Sequence, residues 1–361
     1  MSEKQSQPFH PSFNSSLTID VQRSRVSSDD GLILVRELDD RPGFGELVEQ
    51  RHNPTFQPIR TQPVKGRLNI GYSRPIGESE PYKSIAMKII ILAFLLFAAV
   101  YPTGPARAEE FDHAPWERVL KKYVTEAGRV DYSALKKDRA ELDRYVDAIA
   151  ARSPVSHTAD FPTRESQLAY WINTYNALVI HSVVEAWPVK SVRKIGILPY
   201  SFFWRKKFVA GGRKYTLNGM EAILRKRLAE PRVHFVLVCA AISCPRLERE
   251  AFVAENVEML LEKNAHIFVN DPRNLQIDAA SNLVTVARIY TFYEGDFEAH
   301  VRAENAVSSG HPIVDYIRLY ATDSNRQALD ALKEPCVVDF DYDWGINDVG
   351  APPATLAAKE V

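Results

Sequence analysis

"ESQLAYWINTYNALVIHSVVEAWP", Glu165 to Pro188, is apolar almost all the way round a helical wheel. A surface helix keeps one polar face. This stretch keeps none, so it reads as a central helix buried on every side, and Pro188 ends it. Asn173, Thr174, Asn176, His181 and Ser182 interrupt the apolar residues. A buried amide without a hydrogen bond costs about 1–3 kcal/mol, so each needs a partner. Asn173 and Asn176, three apart, occupy neighbouring positions on one helix face.

Upstream, Trp116, Val119, Leu120, Tyr123 and Val124 follow helical spacing, as do Leu135, Leu142, Tyr145, Val146 and Ile149. "GRVDY" separates the two runs at Gly128, and "RSPVSHTADFPT" is a loop. Downstream, "FVAGGRKYTL" predicts a hairpin turning at Gly211-Gly212. Asn218 with Glu221 three residues on predicts a capping box opening a helix that runs to Leu228. "VHFVLVCA" is continuous and β-rich, which predicts a buried strand. A helix is expected from about Ala254 to Phe268, and two strands in "LQIDAASNLVTVARIY". Short helices follow near Val314–Tyr320 and Arg326–Leu332, and "CVVDFDYDWGIND" closes with a strand. The order predicts α+β: a single helix-rich domain around a small, mainly antiparallel sheet with a central buried helix.

The domain does not fill the chain. "MKIIILAFLLFAAVYPTGPARAEE", from Met87, places Lys88 before 13 apolar residues and a small-x-small site at Ala106-Arg107-Ala108. That is the layout of a secretory signal peptide over 87–108, and too short for a membrane span. Residues 1–86 hold 8 of the 22 prolines and no Trp or Cys. They read as an extension ahead of the true start at Met87, or as a disordered cytoplasmic tail before a signal anchor. The domain then covers 109–348, with a disordered tail over 349–361. The expected location is periplasmic or secreted, with membrane contact only during export. Lys and Arg number 45 against 46 Asp and Glu, and no long basic block follows Ala108, so no nucleic-acid partner is expected. No phosphate loop, dinucleotide fingerprint, hydrolase elbow or zinc-protease helix is present, so no cofactor is expected.

The chemistry concentrates in "HFVLVCAAISCPRL", His234 to Leu247, with two of the three cysteines. On a straight strand His234 and Cys239 lie about 17 Å apart and cannot form a dyad. Cys244, with Pro245 suited to a first helical position, fits a thiol at a helix N-terminus, where its pKa falls. A nucleophilic Cys244 or Cys239 needs a base, and His234 or His181 are the candidates; Asn173 or Asn176 would orient it. The competing readings are a buried Cys239 and a Cys239–Cys244 disulfide in an oxidising compartment. Spacing C-x₄-C without a second pair argues against zinc. Weaker features are Tyr293, Glu294 and Asp296 as a pocket rim, and Asp339, Asp341 and Asp343 as a three-carboxylate face for a hard cation.

"YWINTYNALVIHSV", "YTLNGMEAILR", "PRVHFVLVCAAISCPRL", "ARIYTFYEGDF" and "FDYDWGIN" together resemble domain-of-unknown-function family 547, over Phe111 to Asn347. Where the family pattern commonly has Gly after the first cysteine, this chain has Ala240. The resemblance implies one shared fold and often an exported protein, but assigns no reaction. Two functions therefore stand side by side: a periplasmic binding or scaffold module with bridged cysteines, and a thiol-dependent acyl-transfer or amide-hydrolase enzyme.

Overall fold

A computed structural model describes residues 110–196, 200–307 and 309–351. The expectations for 1–86, for the 87–108 signal peptide and for most of the 349–361 tail lie outside them.

The first helix, α1 (Ala114–Tyr123), carries Pro115 in its first turn and buries Trp116, Val119, Leu120 and Tyr123, one helical stripe. The turn after it needs Gly128, whose φ is +73°. A Cβ there would also lie 2.7 Å from the backbone nitrogen of Leu247, so the glycine admits the cysteine segment's downstream end. Helices α2 (Tyr132–Lys137), capped by Asp131, and α3 (Ala140–Ala151) follow. Next comes α4 (Arg164–Ala186), whose Thr163 and Ser166 form a reciprocal capping box. Seventeen of its 23 residues are buried, so the central helix is as expected.

A one-turn α5 (Ser201–Trp204) leads into the hairpin β1 (Phe208–Ala210) and β2 (Arg213–Tyr215), which turns at Gly211-Gly212. Helix α6 (Leu217–Ala222) is capped by Thr216, whose hydroxyl accepts from the Gly219 N–H, and not by Asn218. Glu221 is thereby released from the capping role and pairs with Arg225. A π-turn, Ile223–Arg227, continues the helix.

The predicted strand over "VHFVLVCA" is absent. Pro231–Phe235 form a 3₁₀ turn, and residues 236–240 run on without a strand partner. The reason is Asn176. Its amide donates to the Val236 carbonyl and accepts from the Val238 N–H, both at 2.9 Å, meeting the needs a neighbouring strand would meet. The run is apolar throughout because it is buried on both sides: Phe235 packs in one core cluster, Val236 and Val238 in another.

Helix α7 (Val257–Asn270) precedes β3 (Leu275–Asp278) and β4 (Leu283–Val286), an antiparallel pair. Then come α8 (Arg288–Phe292), α9 (Glu294–Ala303), α10 (Pro312–Tyr320) and α11 (Asp323–Asp330). The last strand, β5 (Cys336–Asp339), runs parallel to β4, giving the order β3-β4-β5. With two of three pairings antiparallel and helices dominant, the fold is α+β. Beyond β5 the chain threads back, and Trp344 and Ile346 pack in the cluster that holds Val236 and Val238. Isolated bridges join Ile346 to Ala241, Gly345 to Ser191 and Asp348 to Val130. Among the described residues no helix is long and apolar enough to cross a membrane.

Candidate functional site

Several backbone groups around the cysteines have identifiable anchors. Asn176 holds 236–238. Ala240 takes φ +64°, the left-handed conformation that glycine adopts without cost. Alanine holds this conformation here under strain. From this bend the chain meets the terminal segment: Ile242 N–H donates to Gly345 O at 2.7 Å, and Ser243 N–H to Asp343 O at 3.2 Å. The Ser243 hydroxyl accepts from Asp343 N–H at 2.8 Å. Cys244 N–H closes the turn on Ala241 O.

Cys239 and Cys244 are joined by a disulfide, with Cα atoms 6.2 Å apart. No helix begins at Pro245; the chain stays irregular until α7. Leu247 is buried there and Pro245 is turned against the fold, so the helix-terminus argument for a low-pKa Cys244 does not apply. Other groups serve the sulfurs. The Cys239 N–H donates to Cys244 Sγ at 3.0 Å, and the Tyr342 hydroxyl lies 3.3 Å from Cys239 Sγ and 3.2 Å from Cys244 Sγ. Bridged sulfurs carry no proton, so the phenol is the donor.

Cys244 lines a cleft of about 180 Å³, with Arg246, Arg273 and Arg288 among its other lining residues and Asp271 and Asp341 as its carboxylates. Arg273 is forked onto Asp271, and Arg288 pairs with Asp339 at 3.3 Å. Arg246 reaches the carbonyl of Glu126. A larger cavity, about 390 Å³, surrounds His113 beside Glu110, Glu117, Glu250 and Glu255. It holds neither sulfur, and its charge is mainly negative.

The other expected residues are placed as follows. Asn173 donates to the Phe252 carbonyl at 2.6 Å, accepts from the Phe252 N–H at 3.1 Å, and also reaches His113 Nδ1 at 3.0 Å. His234 is buried and directs Nε2 at Asp296, 2.8 Å away, with its ring stacked on Tyr293. Arg225 completes the group, bonded to Asp296 and over the Tyr293 ring. Burial lowers the His234 pKa, keeping it neutral. Burial alone would raise the Asp296 pKa, but hydrogen bonds from His234 and Arg225 hold it far below the usual carboxylate range. His181 is half-buried and accepts from Arg139 at 2.8 Å, beside Asp143; burial lowers its pKa as well. Neither sulfur has a histidine hydrogen-bond partner among the described residues. The structure therefore brings Cys239, Cys244 and Asn176 together, and sets His234, His181 and Asn173 in separate networks.

Strand β5 stops at Asp339, so the three-carboxylate face does not form. Asp339 turns to Arg288 and Thr291, and Asp343 accepts from Gly345 N–H. No group of three or more His, Cys, Asp or Glu gathers to hold a metal ion among the described residues.

Residues 159–269 match the model of the family described as protein of unknown function, DUF547. The chain carries a DUF547 region. Comparison with curated proteins and with solved structures returns no match. The DUF547 region contains α4 with both asparagines, His234 and the bridge. Tyr342, Arg273 and Arg288, which complete the cleft, lie beyond it. Sequence reasoning missed Tyr342 although it stands inside the quoted "FDYDWGIN", because nothing local says that this segment folds back on the cysteines. Arg225, His113 and Tyr145 were missed for the same reason.

Proposed function

We propose that this protein is an exported binding module whose ligand occupies the cleft beside the Cys239–Cys244 bridge. One observation carries the reading. Arg246, Arg273, Arg288 and Tyr342 line, with Asp271 and Asp341, a recess of net positive charge whose Cys244 wall is held by Asn176 and by the terminal segment. Such a recess suits a small ligand bearing a carboxylate or phosphate, since arginine binds both through paired N–H donors. A bridge between half-buried cysteines suits an oxidising compartment, which agrees with the signal-peptide layout over 87–108. The acyl-transfer alternative requires a free thiol with a histidine in reach, and the sulfurs' hydrogen-bond partners are instead Tyr342 and the Cys239 N–H.

A thermal-shift screen of small carboxylates and phosphate esters tests the binding reading. Stabilisation of the wild type, diminished in Arg246→Ala, is the expected result. A wild type that responds to none of them, or a variant that responds equally, overturns it. Cell fractionation with sequencing of the mature N-terminus tests export. The first residue is expected at or beside Glu109, and an uncut cytosolic chain refutes the claim.

A further inference from the structure

A bridge that stabilises a fold usually joins segments that would otherwise part. The Cys239–Cys244 bridge does not. It closes a loop with only four residues between its ends, for which loop closure contributes about 2 kcal/mol, against nearly 5 for a loop of about 100 residues. The same residues are already held by Asn176, by the Cys244 N–H on Ala241 O, and by hydrogen bonds to Asp343 and Gly345. Opening the bridge leaves those anchors in place, so the backbone carrying both cysteines stays where it is and the sulfurs part only to non-bonded contact. Both cysteines are half-buried, and Cys244 faces the cleft. Each sulfur meets the same phenol donor, and Cys244 Sγ also receives a backbone N–H. Donors aimed at a sulfur favour its thiolate over its thiol.

We propose that Cys239–Cys244 is a thiol–disulfide exchange centre, with Cys244 the sulfur that meets the incoming thiol and Cys239 the resolving partner. This goes beyond ligand binding and does not depend on it. The chemistry balances with two thiols as reductant. A thiolate RS⁻ entering from the cleft attacks Cys244 Sγ. A bond forms between R–S and Cys244, the Cys244–Cys239 bond breaks, and its electron pair leaves on Cys239 Sγ, which the Tyr342 hydroxyl stabilises. A second RS⁻ attacks the R-bearing sulfur of the mixed disulfide. It releases RSSR and leaves Cys244 as a thiolate held by the Cys239 N–H and Tyr342. Two protons from solvent complete the dithiol. Two thiols are oxidised and one bridge is reduced; the reverse direction oxidises a dithiol.

The test uses the full chain as secreted, with Cys336→Ser to remove the third thiol and reduced glutathione as the probe. Mass mapping is expected to show the bridge opening in the folded protein and closing again with glutathione disulfide, while circular dichroism stays unchanged. In Cys239→Ser, alkylation of Cys244 is expected to follow a midpoint at least about one pH unit below the ordinary 8.5, and glutathione disulfide is expected to leave one glutathione trapped on Cys244 and release the other as thiolate. Tyr342→Phe should slow reduction about tenfold, the worth of a hydrogen bond to a charged sulfur, and raise that midpoint. A bridge that opens only on unfolding overturns the proposal. So does a Cys244 midpoint at or above 8.5, or a Tyr342→Phe bridge reduced at the wild-type rate. The anion screen with the bridge intact is independent, so failure of either idea leaves the other standing.

Discussion

His113 offers the sharpest test of the network around α4. Asn173 is oriented by Phe252, because its amide oxygen takes the Phe252 N–H and its amide nitrogen gives to the Phe252 carbonyl. That leaves an N–H facing His113 Nδ1 at 3.0 Å, while the Tyr145 hydroxyl approaches the same nitrogen at 2.7 Å. Nδ1 is therefore the acceptor for both, and the ring is neutral with its proton on Nε2. Burial lowers its pKa from 6.5 to about 4, against a small opposing pull from Asp112. Above pH 6.5 neither the folded nor the unfolded state binds this proton, and its contribution is full. As pH falls from 6.5 toward 4 the unfolded chain takes the proton and the folded chain does not, so stability drops. Below about 4 the loss is complete. A gap of about 2.5 pH units at about 1.4 kcal/mol each gives about 3 kcal/mol, of which about 2.5 is gone by pH 4.5. Urea unfolding at pH 7 and pH 4.5, followed by fluorescence of buried Trp116 and Trp171, measures the loss. His234 and His181 contribute in the same direction, so the decisive quantity is the difference from His113→Gln, which cannot titrate. The wild type should lose about 2.5 kcal/mol more than the variant across that interval. Equal losses in both proteins would refute the assignment of a buried, neutral acceptor.

Asn176→Ala strips the partners from two buried backbone groups and should cost about 2–4 kcal/mol in denaturant unfolding; a loss under about 1 would show that the 236–238 backbone finds other partners. Asp296→Asn leaves Arg225 buried without its principal counter-charge and should cost about 3–5 kcal/mol at pH 7, and a near-neutral variant would mean that the cluster is solvated. Cys336, exposed at the start of β5 and unbridged, should give disulfide-linked dimers on a non-reducing gel after storage in air, lost in Cys336→Ser; dimers persisting in that variant would assign the link to another cysteine.

Local patterning was enough for much of the fold. The all-round apolar Glu165–Pro188 reads as a buried helix, the Gly211-Gly212 pair as a hairpin turn, and the segments on either side of Ala280-Ser281-Asn282 as two strands, which the structure pairs antiparallel. Each depends on residues within a few positions of one another, and such information survives in a linear string. The misreadings have the opposite character. His234–Ala240 has the composition of a strand, but a side chain 60 residues upstream, Asn176, supplies its hydrogen bonds. Asn218 has the chemistry of a cap, but Thr216 has the position. Pro245 could begin a helix, but the segment after it packs against Gly128 instead.

What the sequence determined by itself was the class of the fold, the central helix and the cysteine pair worth watching, because periodicity and spacing are set by covalent order. Only the tertiary structure decided what surrounds the sulfurs. Tyr342 approaches them from about 100 residues away, and the two histidines are drawn into hydrogen bonds elsewhere. Burial and long-range contact choose among the partners a side chain is chemically able to take, and neither can be read from its neighbours in the chain.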